Sequence, residues 1–481
     1  MFSWLDWRKK APESPPLGVD TVVCSASDLS SKDVTLTYCF VIPAPLDVDK
    51  LKAGLFAAIE QKLPRCGARL ARRNGLYEFQ IPRQFTQEVP AAGFTHVHKS
   101  QPFAGTPLPP NVGDVEQPCM VDMPNCASLF RASGTPGHLD DFLVPGTPLL
   151  HVHVTTFEDA TLIGLTASHV LWDAHGLRTL LSAWTAALEG ELDSVEGSAV
   201  DFNPFQTIYQ SVTPRNLPPG EPVRGWYNLG TFGTLHFIVR FVWRLFREPK
   251  ETARLFYIPK PWLAAQKEAC MAELAARGSK EWVGSSDVLI ATFCKVLHAH
   301  RTDSTPVHIH NPVNVRRLLP TYFTQPFLNN AVTLASAVPI PAAQLGSQPV
   351  VDTALEIRRA VNAYVVNTDV LLQELAWSNA AAGVGRTLFP CRPGGDFAAV
   401  SNWRSAKFNE VDWSGARVDW EKNKGAACAT FVTAYAQDNP RIPLRGGGSV
   451  CSETEDAIWM SVGRSDVDWE KIRKNGNVRF A

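Results

Sequence analysis

The chain has 481 residues, 45% of them apolar and 19% charged, a balance that fits a globular protein of about two to three domains and excludes a disordered one. Lys and Arg number 46 against 47 Asp and Glu, for a net charge of −1, which leaves no basic footprint of the kind nucleic-acid binders carry. The first stretch, MFSWLDWRKKAPESPP, has no apolar run of signal-peptide length. The ten Cys fall without CxxC pairs, so reduced thiols in the cytoplasm are expected rather than a disulfide frame.

In chain order, Thr35 to Val41 reads as a strand. Residues 49–63 place Leu51, Leu55, Ile59 and Leu63 four apart, the spacing of an amphipathic helix that Pro64 ends. Leu76 to Ile81 is a short strand, and the Pro- and Gly-rich stretch from Phe103 to Gly146 reads as mostly loop. Two strands, Leu149 to Phe157 and Thr161 to Ala167, are joined at Glu158-Asp159. Leu177, Leu180, Leu181, Trp184, Ala187 and Leu188 then mark a helix.

Residues 203–225 hold five prolines and little periodicity and are the best linker candidate. Next comes the most apolar stretch, FGTLHFIVRFVWRLF, from Phe232 to Phe246. At 15 residues it falls short of the ~20 that span a bilayer. As a helix it reads as buried with a narrow wet stripe set by Arg240 and Arg244; a membrane-surface helix is the alternative. Ser285 to His298 reads as a helix capped by Ser285-Ser286-Asp287, and Val350 to Val366 as another. Pro306 to Val315, Ala427 to Tyr435 and Ala457 to Val462 read as strands. No internal repeat is present, and the pattern is two mixed α/β halves of similar size.

The chemistry centres on Ala167-Ser-His-Val-Leu-Trp-Asp-Ala-His-Gly176, set between an apolar strand and a long helix, where α/β folds place reactive groups. The spacing of His169 to Asp173 says little by itself: with 12 His and 47 acids in 481 residues, roughly one such match arises by chance. Its company carries the weight. The stretch resembles the HxxxDG motif of the BAHD acyltransferases, with Ala174 where Gly is usual and Gly176 two residues on. Pro148 to Phe157 is similar to the strand that leads into that motif. Asn314-Val-Arg-Arg317, with Tyr322-Phe and Asn329-Asn-Ala-Val332, resembles the family's N/D-x-R-x-R and Y-F-G-N-A-V segments, split here by an insertion. Ser401-Asn-Trp403 and Phe408-Asn-Glu-Val-Asp-Trp-Ser-Gly-Ala416 resemble its S-S-W and DFGWG block, with Asp412 kept and the rest changed to Trp-Ser-Gly-Ala. Ser286-Asp-Val-Leu-Ile-Ala291 resembles a helix start in the second domain. Four blocks in the right order point to the divergent fungal branch, similar to trichothecene acetyltransferases.

The resemblance implies two chloramphenicol-acetyltransferase-like mixed-sheet domains with a solvent channel between them. Residues 1–202 would form the first domain, 203–250 a crossover with the apolar helix, and 251–481 the second. It implies transfer of acetyl or another short acyl group from acyl-CoA to a hydroxyl of a small secondary metabolite, with His169 as general base. N-acylation, condensation, cyclisation and a non-catalytic metabolite-binding member are the alternatives. Asp173 would pair with Arg316 or Arg317 and act structurally, as would Asp412. Ser401, Trp403, Lys260 and Ser286 are the candidate contacts for CoA. Acyl-CoA is a co-substrate, and no permanently bound cofactor, no metal, no membrane span and a monomer are expected. The pairs His151/His153 and His308/His310 each share a strand face but have no nearby Cys and too few ligands for zinc. Cys24, Cys66 and Cys294 lack a paired base for nucleophilic work.

Overall fold

The computed structural model describes residues 17–214, 222–223, 226–383, 388–418, 424–436 and 446–481. Its architecture is mixed α/β, built on two large sheets. In the first, of five strands, Thr35–Ile42 pairs antiparallel with Thr161–Ser168, which pairs with Leu150–Thr156; Gly93–His98 closes the far edge in parallel. Thr161–Ser168 is buried along its whole length, which explains why it reads as a continuous apolar run rather than an alternating one. Helices Val48–Gln61 and Ala174–Leu188 cover this sheet. Leu51, Leu55 and Ile59 of one meet Leu177, Leu180, Leu181 and Trp184 of the other in a single core with Phe40, and the Trp184 indole N–H donates to the Leu51 carbonyl at 2.8 Å.

The second sheet has nine strands. Its centre is Asp396–Asn402, Gly447–Glu453, Ala457–Ser465 and Glu251–Pro259. Helices Ser285–His298 and Val350–Val366 pack on it through Val288, Leu289, Phe293 and Ile357. Both helices have the bounds their periodicity predicts. The capping differs. Gly284 is the cap, and Asp287 accepts from the Gly284 N–H at 2.7 Å while pairing with Arg358. The Ser285 and Ser286 hydroxyls are turned elsewhere.

The two sheets exchange strands. Phe431–Ala436, from the second half of the chain, forms an edge of the first sheet against Thr35–Ile42. Cys119–Asp122, from the Pro- and Gly-rich stretch expected to be loop, enters the second sheet beside Glu251–Pro259. The division at 1–202, 203–250 and 251–481 follows chain order, whereas the sheets do not. Within the linker candidate, Pro204–Ser211 is a helix started by Asn203, and residues 215–221 and 224–225 lie outside the described ones.

The apolar stretch forms the helix Gly230–Arg247, and here the expectation of a buried helix is overturned. None of its residues is buried; Phe232 is 88% and Phe246 78% exposed. Hydrophobicity all round the helix suggested burial, yet the structure covers only the side near Phe237, which meets Phe389 with centroids 4.7 Å apart. No helix among the described residues is long and apolar enough to cross a membrane.

Candidate active site

His169 follows directly on the buried strand Thr161–Ser168, and Asp173 caps the helix Ala174–Leu188. The loop between them is pinned at nearly every residue. The His169 N–H donates to the Val34 carbonyl at 2.8 Å. The Asn330 amide donates to the His169 carbonyl at 2.6 Å, and that of Asn329 to the Leu171 carbonyl at 2.9 Å. Asn329 is itself held by Arg65, whose guanidinium donates to its Oδ1 at 2.6 Å. The Asn329-Asn-Ala-Val332 block therefore acts as a clamp on the backbone of the His169 loop, reaching it from the other half of the chain.

Asp173 does not face the imidazole. Its Oδ1 accepts from the Gly176 N–H at 2.9 Å, as an N-cap does. Its Oδ2 accepts from Arg316 Nη1 at 2.9 Å and from the Ala331 N–H at 2.8 Å. Burial would raise the carboxyl's pKa, but the Arg316 charge and these three donors outweigh it and hold it below the ordinary carboxylate value. Of the two arginines left open by the sequence, Arg316 makes the pair, and its fork also donates to the carbonyls of Phe327 and Asn329. Arg317, the next residue, is exposed. Removing one member of so buried a pair costs about 3–5 kcal/mol, because the other charge is left uncompensated.

The surroundings of His169 differ. Burial holds its pKa below the ordinary histidine value, against the opposing pull of a backbone hydrogen bond and of the Asp173 charge. Its Nδ1 is buried without a hydrogen-bond partner. An unpaired polar atom in a protein interior is costly and calls for an explanation, of which a catalytic role is one. The nearby His175 instead bonds the Ser405 hydroxyl at 3.1 Å.

The CoA candidates gather around a second feature. Lys260 and Trp403 line one cleft of about 290 Å³ with Arg404, Lys407, Glu410 and Glu453. The Trp403 indole N–H donates to Ser401 Oγ at 2.9 Å, and the Asn402 amide to Ser286 Oγ at 3.0 Å. Arg404, missed in the sequence, binds Glu453 through two nitrogens at 2.8 Å each and reaches the Ser285 hydroxyl at 3.2 Å. Lys260 lies 3.6 Å from the same Glu453 and donates to the Thr454 carbonyl. Three cations against two carboxylates leave the cleft net positive. Arg404 follows directly on Ser401-Asn-Trp403, so its place beside that motif was the available signal.

Asp412 sits elsewhere, as a loop brace. Its Oδ1 accepts from the N–H groups of Ser414 and Ala427 at 2.9 and 2.8 Å. The neighbouring Trp413 packs edge-on against Trp184, 4.9 Å between centroids, so the altered Trp-Ser-Gly-Ala segment plugs the first core. The paired histidines are engaged locally. His153 bonds Thr95 at 2.7 Å, His151 the Pro148 carbonyl at 3.0 Å, and His310 both Ser336 and the Pro390 carbonyl. His308 lies edge-on to the ring of Tyr227. All ten cysteines are free thiols.

No protein-family model matches the chain. The acetyltransferase adrJ of Penicillium roqueforti is 28% identical over 388 residues, covering 77% of this chain and 76% of its own. The transcriptional regulator calD of Penicillium decumbens is 27% identical over 500 aligned residues, covering 97% of this chain and 98% of its own. Among solved structures, TRI101 of F. sporotrichioides, complexed with coenzyme A and T-2, superposes with a TM-score of 0.66 over 95% of this chain and 97% of that one, at 12% identity. At that identity the likeness is one of fold. The resemblance to the fungal, trichothecene-acetyltransferase-like branch and the two-domain α/β fold expected from it are borne out.

Proposed function

We propose that this chain, which has the fold of a protein crystallised with coenzyme A, transfers acetyl or another short acyl group from acyl-CoA to a hydroxyl of a small secondary metabolite. His169 is the general base. The observation that carries this reading is the setting of that imidazole: its pKa lowered by burial, its Nδ1 buried and unpartnered, its loop clamped, and Asp173 turned away into Arg316.

An alcohol is a poor nucleophile near neutral pH, and a positioned imidazole that takes its proton as attack begins contributes about 10²–10⁴-fold. The acceptor oxygen attacks the thioester carbonyl carbon as its proton passes to His169. The tetrahedral intermediate collapses, the carbon–sulfur bond breaks, and the CoA sulfur takes the proton back from the imidazolium. No acyl-enzyme forms. Asp173 holds the loop rather than sharing the proton. The cleft of Lys260, Trp403 and Arg404, flanked by Ser401 and Ser286, takes the phosphate-bearing part of CoA, and a channel between the two sheets brings both substrates to His169.

The test is release of free thiol from acetyl-CoA against a panel of terpenoid and polyketide alcohols, with product masses recorded. The expected product carries the acyl mass on the acceptor, and His169→Ala lowers turnover by about 10²-fold or more. Turnover unchanged in that variant would overturn the assignment of the base. A product without added acyl mass would favour condensation or cyclisation, and an amine acceptor would redirect the reading to N-acylation.

A second reading is a metabolite-binding protein without turnover. It draws support from calD, a relative named as a transcriptional regulator that aligns along nearly the whole chain. Calorimetry with CoA separates the two: heat of binding supports the transferase, and none under any condition supports the binding protein.

A further inference from the structure

The helix Gly230–Arg247 carries its amphipathic character inside out. At ~100° per residue, Leu235, Val242, Phe246, Val239, Phe232 and Trp243 fall within about 100° of arc on the outward side. Each is exposed, Trp243 to 59% and Val239 to 60%. The Trp243 and Phe246 rings stack outside the body, with centroids 6.2 Å apart. The inward side is held by polar as well as apolar contacts. Arg244 reaches Asp396 at 3.1 Å, Asp468 at 3.5 Å and Glu248 at 3.7 Å, while Phe237 meets Phe389. The aromatic stripe is therefore fixed in place by ion pairs beneath it and has no partner above it among the described residues.

Six exposed apolar side chains on one arc form a contiguous patch, and the largest such patch on a soluble monomer, ordinarily ~300–600 Å², is often functional. Its composition narrows the occupant. The helix contains three Arg, one His and no acid. His236, Arg240 and Arg247 are exposed and, on the helical wheel, share the flank beside the apolar arc. Trp and Phe on the outer face with cations along its edge is the arrangement of a helix lying in the headgroup layer, its rings in the acyl boundary and its cations on anionic lipid. At 18 residues the helix is about 27 Å long, and it lies flat because it is too short and too interrupted by Arg to cross. A second copy is a poor occupant: packed antiparallel across this face, it would bring the two basic flanks side by side with no acid on either helix.

We propose that Gly230–Arg247 docks this protein on a membrane surface that carries anionic lipid, with Phe232, Trp243 and Phe246 inserted and Arg240 and Arg247 at the headgroups. The proposal stands independently of the acyl-transfer reading.

Vesicle flotation of the full chain tests it, with phosphatidylcholine vesicles and with phosphatidylcholine vesicles containing phosphatidylserine. The wild type is expected to float with the serine-lipid vesicles and to be released by salt. The triple variant Phe232→Ala, Trp243→Ala, Phe246→Ala is expected to partition roughly tenfold or more weakly, with an unchanged melting temperature because these side chains are already exposed. Arg240→Glu with Arg247→Glu is expected to abolish the preference for anionic vesicles. A wild type that floats with neither vesicle, or a triple variant that floats as well as the wild type, overturns the proposal. A wild-type dimer in lipid-free sedimentation that the triple variant dissolves into monomers overturns it in favour of a second copy.

Discussion

The His169 imidazole shows how a motif of chance-level spacing becomes a candidate site. Nothing in the five residues from His169 to Asp173 distinguishes them, yet the fold gives the two side chains opposite environments. Asp173 is satisfied by Arg316 and two backbone N–H groups, whereas His169 keeps an unpaired nitrogen. The depressed basicity of His169 fixes a pH dependence. A base must be unprotonated to accept a proton, and the ordinary histidine pKa is about 6.5. Because burial lowers it in the folded chain, the proposed base is already free at neutral pH, and rate is expected to fall only below the ordinary histidine range. A profile of kcat/KM against pH is therefore expected to be flat from neutral upward, with a single acid limb below the ordinary histidine range. An acid limb centred above pH 7 would assign the essential base to another group. The pairing of Asp173 with Arg316 rather than Arg317 was not legible in the sequence, since both arginines fit the motif with a gap allowed; the short helix Val315–Leu318, capped by Asn314, turns Arg316 inward and leaves Arg317 outside.

At the scale of elements, the contact that matters most is between the start of helix Ala174–Leu188 and the segment Leu328 to Asn330. A Cβ placed on Gly176 would lie 1.7 Å from the Leu328 carbonyl oxygen, so the two backbones touch as closely as a glycine permits. Gly176→Ala gains up to ~1 kcal/mol of helix propensity but forces apart two backbones, and overpacking of this kind costs about 1–3 kcal/mol or more. The expected outcome is a lower melting temperature by calorimetry together with reduced turnover, because Asn329 and Asn330 follow directly and clamp the His169 loop. A melting temperature at or above that of the wild type would show that the contact yields freely. The helices of the second core were legible as elements, because periodicity over 14 and 17 residues specifies type and length. Others were read less well, and two show why. Cys119–Asp122 is four residues long among prolines and gains its strand character wholly from its neighbours in the second sheet. Gly230–Arg247 was legible as a helix, but periodicity says which residues share a face and not which face the rest of the protein covers.

For the whole molecule, the exchange of strands binds the two halves more firmly than a linker does. Thr35–Ile42 is buried on both faces and paired along both edges, with Phe431–Ala436 supplying one of them. Cys119 and Val121, in turn, pack in one cluster with Phe130 of the first half and Leu255, Phe431 and Trp459 of the second. The site depends on the same arrangement, since Arg316, Asn330 and Ala331 reach the His169 loop from the second half. A chain cut at residue 202 thus loses a sheet edge, a core and the clamp together. It is left with an open apolar strand of the kind that recruits other chains and with Asp173 buried without its cation. Residues 1–202 expressed alone are therefore expected to aggregate or to remain without a cooperative melt, while the full chain unfolds with loss of both sheets in one step. Sedimentation and circular dichroism of the fragment decide this. A soluble monomer with a sharp transition would mean that the first sheet closes without Phe431–Ala436 and that the exchanged strands add to the fold without being required by it.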